Sequence, residues 1–392
     1  MSLTLPSRLR AILEADYPRF SATEMRRRRT AIEALLADGS ADHLVFCGAN
    51  RFGSAVQWLT QWPVTAEAVG VFSPGCPDAL FVQYFNHVPL AGRLAADAQV
   101  AWGGESSIAA AAAELDRRAA KSGAVAVIGP LTFEQHGVLS ARFGDLVNLN
   151  KSYVRLRMVK SPEEIDWLRI GAYLSDCAVR ALREGLKPGL NERELGNLVE
   201  RAYVGAGGVN VIHYFGATPM LDASIAVPAQ FPSTRAVATG DIVFVEISAA
   251  FWDHPGQILR SFTVGTDPTP LYRDLHEAAD AAFDAIANVL KDGALPGEVI
   301  AASSVIEEAG FTTIDDLLHG YGGGYLPPIL ASKSRVAGSV PTEPFRAGMT
   351  VVIQPNVVTR DQRAGVQTGE LVLVTPDGIE RLHAMPRGFL QV

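Results

Sequence analysis

In this chain of 392 residues, the side chains best suited to chemistry gather around one histidine. His319 opens a glycine-rich run, His319-Gly-Tyr-Gly-Gly-Gly-Tyr325. An imidazole titrates near neutral pH and can give or take a proton; a satisfied structural histidine is the plainer reading of the same residue. The glycines lack the lysine of a phosphate-binding loop and any strand-to-helix context. They suit close backbone approach at a pocket wall, which Tyr321 and Tyr325 either line or pack behind. His213, in Val211-Ile-His-Tyr-Phe-Gly216, reads equally well as a pocket residue or as a strand histidine. Glu246 stands in the alternation Phe244/Glu246/Ser248, opposite Val243/Val245/Ile247; on that pattern alone it is a solvent-facing strand glutamate. Cys47, Cys76 and Cys177 are odd in number and far apart, without CxxC spacing. They make neither a disulfide framework nor a thiolate metal site, and they fit a reducing cytoplasm.

The elements that must position these residues fall into two groups. The first part of the chain alternates a helix over 23–37, short apolar strands over 44–47, 68–72 and 80–84, an Ala-rich helix over 106–120 and a buried strand over 124–128. This is an α/β pattern. Arg26 to Arg29 lie within the first helix and read as a solvated face. At Lys160-Ser-Pro-Glu-Glu-Ile165 the character changes: Ser161 is an N-cap, Pro162 suits the first helical position, and the two glutamates suit the positive end of the helix dipole. A second helix is predicted over 191–204, strands over 242–248 and 258–264, helices over 271–290 and 298–309, and closing strands over 350–354 and 371–375. This is an α+β pattern. The boundary is placed near residue 155, giving domains 1–155 and 156–392.

Composition narrows the function classes. Net charge is −8 and charged residues make up 19%, without the basic surface that nucleic-acid or anionic-membrane binding needs. No apolar run reaches about 18 residues, and the amino terminus lacks a signal-peptide core. A soluble cytoplasmic protein is expected.

Five ordered segments resemble the creatinase/aminopeptidase P (Xaa-Pro peptidase) family, whose carboxy-terminal domain is known as the pita-bread fold. Gly240-Asp-Ile-Val-Phe-Val-Glu246-Ile followed by Gln257-Ile-Leu-Arg260-Ser-Phe262 is similar to the paired strands that supply two aspartates. Leu318-His319-Gly-Tyr-Gly322 matches the HGxG segment, which supplies a histidine ligand. Ala347-Gly-Met-Thr-Val-Val-Ile-Gln354-Pro355 and Gly369-Glu-Leu-Val-Leu-Val-Thr-Pro-Asp-Gly378 resemble the two closing strands. Lys160-Ser-Pro-Glu-Glu-Ile165 is like the opening of the family's catalytic domain, and Trp58-Leu-Thr60 and Asn86-His87-Val-Pro89 are like its amino-terminal domain. The resemblance implies an α/β creatinase-type amino-terminal domain, an α+β pita-bread carboxy-terminal domain, and a homodimer.

It also implies a damaged metal centre. Where the family has Asp, Asp, His, Glu and Glu, this chain has Glu246, Gln257, His319, Gln354 and Gly369. One carboxylate of four remains. A unit charge pair at about 4 Å contributes on the order of 4 kcal/mol at an effective dielectric of about 20, so losing three removes much of the attraction for paired cations. Glu370 is one residue from the last position and, by strand alternation, faces away. Asp253 and His254 fall in the connection before Gln257 and reach the pocket only by unusual loop geometry. The family's other two histidines fall at Gln230 or Ala229 and at Leu326. No metal or cofactor is therefore expected. His319 and Glu246 become the catalytic candidates, and Gln257, Gln354, His213, Gln230, Tyr321 and Tyr325 the substrate-binding candidates. The two glutamines suit a neutral or zwitterionic substrate. The resulting expectation is a metal-independent, creatinase-like hydrolase of a small C–N compound (amide, amidine or cyclic). Creatine itself is disfavoured, because creatinase's histidine base falls at Gln230 or Ala229 and its glutamates are not reproduced at Leu259 or Gln354. A metal-dependent Xaa-Pro peptidase and a non-catalytic binding protein on the same scaffold are the alternatives.

Overall fold

The computed structural model describes residues 3–50, 52–95, 97–335 and 338–392. Asp16–Arg157 forms one unit, and Met1–Ala15 with Met158–Val392 forms the other. In chain order the first elements are α1 (Ser7–Leu13), α2 (Ala22–Asp38), β1 (His43–Ala49), α3 (Ala55–Thr60), β2 (Glu67–Phe72), β3 (Asp78–Val82) and α4 (Val88–Leu94). They continue with β4 (Ala98–Trp102), α5 (Ser107–Arg117), β5 (Val125–Ile128), α6 (Phe133–Phe143), β6 (Val147–Asn148) and α7 (Asn150–Leu156). The smaller unit is built on a mixed six-stranded sheet in the order β4-β3-β2-β1-β5-β6. Its valines at 45, 69, 71, 125 and 127 pack against Ile108, Ala111, Ala112 and Leu115 of α5, where small alanines let helix and sheet approach closely. The basic stretch of α2 is solvated at Arg26 and Arg27 but not at Arg28. Arg28 is 1% exposed, lies over the rings of Phe20 and Trp58, and donates to Glu24 and to the Trp58 carbonyl. Paired and stacked, its charge is tolerated in the interior.

The larger unit continues with α8 (Pro162–Gly185), α9 (Glu192–Tyr203), β7 (Gly208–Pro219), β8 (Asp241–Phe251), β9 (His254–Thr263), α10 (Pro270–Val289), α11 (Pro296–Ala302) and α12 (Val305–Glu308). It closes with β10 (Thr312–Thr313), β11 (Leu318–Tyr321), β12 (Tyr325–Leu330), β13 (Thr350–Ile353), β14 (Val357–Val358), β15 (Gly369–Val374), β16 (Ile379–Arg381) and β17 (Leu390–Gln391). The main sheet runs β12-β11-β13-β15-β9-β8-β7, with β16 beside β15 and β17 beside β9. Helix α8 starts on a capping box: Ser161 Oγ accepts from the Glu164 N–H at 3.2 Å, and the Glu164 carboxylate accepts from the Ser161 N–H at 2.9 Å. Two glycines let it lie directly on β9. A Cβ at Gly171 would stand 2.2 Å from the His254 carbonyl oxygen, and one at Gly256 would stand 2.2 Å from the Ala172 nitrogen. Tyr272, Leu275, Phe283 and Ile286 of α10 join Val351, Ile353 and Val372 in the principal core. The alternating residues Val352 and Leu371 join Leu168, Leu259 and Tyr321 in a second cluster.

Helix α1 packs on α8, with Leu9 3% exposed and Arg8 paired with Asp166. The first helix thus groups with the larger unit, whereas the sequence reading left it in 1–155. Among the described residues no helix is long and apolar enough to cross a membrane.

Candidate active site

The β8–β9 hairpin is the platform of the site. Along β8 every residue is buried except Glu246, which is partly exposed. It pairs across the sheet with Tyr214 on β7 and Leu259 on β9, while Ser248 pairs with Gln257. Glu246 and Gln257 are therefore diagonal neighbours on one face, within side-chain reach. Gln257 Nε2 donates to Glu246 Oε1 at 2.7 Å and to Gln354 Oε1 at 3.2 Å. Gln354 stands just past β13, and its own Nε2 donates to the Asp316 carbonyl at 3.2 Å. Each amide has its donor engaged, which fixes both orientations.

His319 stands on β11 and not on a loop. The turn of the β11–β12 hairpin is Gly322–Gly324, beyond the histidine. Its imidazole is 0% exposed and stacks on the Tyr325 ring, with centroids 3.9 Å apart and planes 21° apart. His319 Nδ1 lies 3.1 Å from the Gly320 carbonyl oxygen. A carbonyl only accepts, so Nδ1 carries the hydrogen and Nε2 keeps its lone pair. Nε2 is buried with no hydrogen-bond partner.

Glu246, His319, Gln354, Gln230 and Tyr325 line one cavity of about 150 Å³, together with Tyr214, Val227, Pro228, Asp315 and Asp316. The volume is that of about five molecules of liquid water. Burial, and next the charge of Asp315, push the Glu246 carboxyl up to about 8. Burial pulls the His319 imidazole down to about 4, against the opposing influence of the Gly320 carbonyl, Asp316 and the Gln354 side chain. At neutral pH the site therefore pairs a largely protonated carboxylic acid with a neutral imidazole. One can supply a proton and the other can accept one. Asp316 accepts from the Tyr325 hydroxyl at 2.5 Å and pairs with Arg335. Asp315 accepts from Asn356 Nδ2 at 3.2 Å, and burial raises its pKa.

Several expected site residues stand elsewhere. His213 is next to Tyr214 in a strand, so it points to the opposite face from the cavity; its Nε2 is 2.8 Å from the Tyr203 hydroxyl. Tyr321 packs in the second apolar cluster, behind the imidazole. Gln257 is 1% exposed and braces Glu246 and Gln354 without lining the cavity. Glu246 accepts from the Gln257 amide. The sequence reading missed Asp315 and Asp316, two adjacent acids shortly before His319, and Tyr214, which strand alternation opposite Glu246 could have found. Glu370 faces away from the cavity as expected. It is buried and accepts from Arg260 at 2.7 Å and from Arg381. Burial works to raise its pKa, but the two arginines hold it near 2.

The donors present do not fit a paired-cation centre. Where carboxylates would face two cations, an amide N–H₂ bridges Glu246 and Gln354. At the fifth ligand position a Cβ on Gly369 would lie 2.4 Å from the Ile353 carbonyl oxygen and 2.8 Å from the Gln354 Cα. Strands β13 and β15 are too close there for any side chain. Among the described residues no group of three or more His, Cys, Asp or Glu side chains could hold a metal ion. A larger cavity of about 910 Å³ lies in the smaller unit. Its Arg117 and Arg118 are both paired with Glu114, and its His43 imidazole is engaged with Ser73 Oγ at 2.7 Å.

Comparison with known proteins places this architecture. The profile of metallopeptidase family M24 matches residues 166–376. An Xaa-Pro dipeptidase of Pyrococcus furiosus is 26% identical over 60% of this chain and 66% of its own length. A probable dipeptidase, PepE, of Mycobacterium bovis is 30% identical over 61% of this chain and 62% of its own length. The chain thus spans slightly less than two thirds of these relatives. Among solved structures, an Xaa-Pro dipeptidase from Bacillus anthracis superposes with a TM-score of 0.80 at 18% identity, covering 94% of this chain and all of that one. An X-Pro aminopeptidase from Thermotoga maritima superposes with a TM-score of 0.80 at 17% identity, covering 93% and 99%. The fold is the expected one, an α/β amino-terminal domain followed by an α+β pita-bread domain. With more than half of its residues inside the family profile, the chain belongs to metallopeptidase family M24.

Proposed function

We propose that this chain hydrolyses a C–N bond in a small amide, amidine or cyclic substrate, using side chains in place of a metal-activated water. The observation that carries this reading is the amide of Gln257 held between Glu246 and Gln354, a neutral hydrogen-bonded pair in the place of ligand carboxylates. His319 Nε2, with its tautomer fixed, takes the proton of the attacking water, and the Glu246 carboxyl returns one to the leaving nitrogen. The coarse class, cleavage of C–N bonds by a peptidase-like enzyme, is supported by the M24 relatives. The protein acts as a homodimer in the cytoplasm; the three free cysteines accord with a reducing compartment.

A second reading, a metal-dependent Xaa-Pro dipeptidase, is the one the relatives' names favour. A histidine whose Nδ1–H is tied to a carbonyl is also posed as a metal ligand would be. Elemental analysis of purified protein, combined with an assay of proline dipeptides and a wider amide, amidine and lactam panel, separates the two. Side-chain hydrolysis predicts no stoichiometric pair of transition-metal ions, poor cleavage of proline dipeptides and chelator-insensitive turnover. His319→Ala should lower that turnover by about 10²–10⁴-fold in a folded protein. Close to two metal ions per chain, with dipeptide cleavage abolished by chelation, establishes the second reading instead. A ligand that binds without turnover points to a binding protein.

A further inference from the structure

The cavity's free hydrogen-bonding capacity leans toward acceptors. Its donors are engaged internally: Tyr325 O–H on Asp316, Gln354 N–H₂ on the Asp316 carbonyl, and His319 Nδ1–H on Gly320. Beside the Tyr214 hydroxyl, the Gln230 amide and the proton of the Glu246 carboxyl, what remains directed at a guest is acceptor capacity. The His319 Nε2 lone pair is buried and unpartnered, and Glu246 and Asp315 place carboxyl oxygens on the wall. Tyr214 and Gln230 can accept as well as donate. Among the described residues no lysine or arginine lines the space, and Asp316 alone of the three acids has a guanidinium partner, Arg335. A carboxylate entering the cavity meets two acids and a lone pair. An N–H-bearing cation meets three acceptors.

We infer that the cavity takes a compact organic monocation that donates N–H bonds and carries no carboxylate inside the site, in contrast to a neutral, zwitterionic or dipeptide substrate. This rests on the reading above, that the cavity is where substrate sits. It replaces the expectation drawn from the two glutamines, whose amides are engaged with neighbouring protein groups. The volume of about 150 Å³ admits a guest about the size of benzene.

Three ligands of one shape and different charge test this: acetamidinium, acetamide and acetate, titrated at millimolar concentrations into the intact protein. Binding is followed by calorimetry and by the NMR signals of the His319 ring. Acetamidinium should bind at least tenfold more tightly than acetamide, shift the imidazole signals, and leave acetate without measurable affinity. Asp315→Asn should erase most of that preference while leaving acetamide unchanged, and Asp315→Glu should keep it. If Asp315→Asn does not fold, the wild-type ranking decides alone. Acetamide or acetate binding as tightly as acetamidinium overturns the inference, and so does Mn²⁺ displacing acetamidinium at lower concentration. If the ranking holds but no C–N compound is turned over, the hydrolase reading fails and this one stands. If the ranking is reversed while turnover depends on His319, the hydrolase reading stands and this one fails.

Discussion

Glu246 and His319 are displaced in opposite directions from their ordinary titration ranges by one cause, burial in the same cavity. Both are held in their uncharged forms, with consequences for stability. Glu246 moves from an ordinary carboxyl value to about 8 in the fold, so the folded state binds its proton more tightly. Its contribution is complete below the unfolded value and is lost as pH rises through about 8. His319 moves down to about 4; its contribution is complete above the unfolded imidazole value and is lost as pH falls through about 4. Wild type should therefore lose stability relative to Glu246→Gln between about pH 5 and 8, by at most about 1.4 kcal/mol per pH unit. Urea denaturation at several pH values measures this, and parallel curves for the two proteins exclude it. Much of this residue-level picture was legible in the sequence, but unevenly. His319, Glu246 and Gln354, grouped by the family resemblance and not by alternation alone, do line one cavity. His213 does not, since one position along a strand reverses the direction of a side chain. Asp315 and Asp316 escaped because they lie in a connection, where no periodicity says which way a side chain points.

The β13–β15 contact shows how elements constrain the site. At Gly369 the two backbones approach so closely that even a methyl group overlaps the Ile353 carbonyl. Gly369→Ala should destabilise the protein by about 1–3 kcal/mol, the usual result of overpacking, and Gly369→Glu by at least as much. A chemical denaturation midpoint unchanged in Gly369→Ala would show that the strands part readily. The sequence showed a missing carboxylate at this position but not the missing space, which depends on two strands distant in sequence. Similarly, the expected helix over 298–309 is broken in the fold into α11 and α12. Ser303 and Ser304 lie between them, their hydroxyls donating to the carbonyls of Ile300 and Ala301. Serine side chains compete for helical carbonyls in this way, and apolar spacing alone does not reveal it.

On the scale of the whole molecule, a TM-score of 0.80 at 18% identity shows a scaffold kept across a wide sequence distance, and fold alone does not set reaction. The α1–α8 contact has a practical consequence for the chain's connectivity. Since Met1–Ala15 cluster with Met158–Val392, the smaller unit is an insertion, entered and left through the larger one. A truncation beginning at residue 158 therefore removes a helix of the larger unit along with the insertion. Replacing residues 16–157 by a short flexible linker retains it. The linked form should be the more stable of the two by about 2 kcal/mol or more, the scale of one buried leucine, here Leu9. Equal melting of the two forms would mean that α1 is dispensable, and the natural place to cut the chain would then be the single junction at Arg157 and Met158.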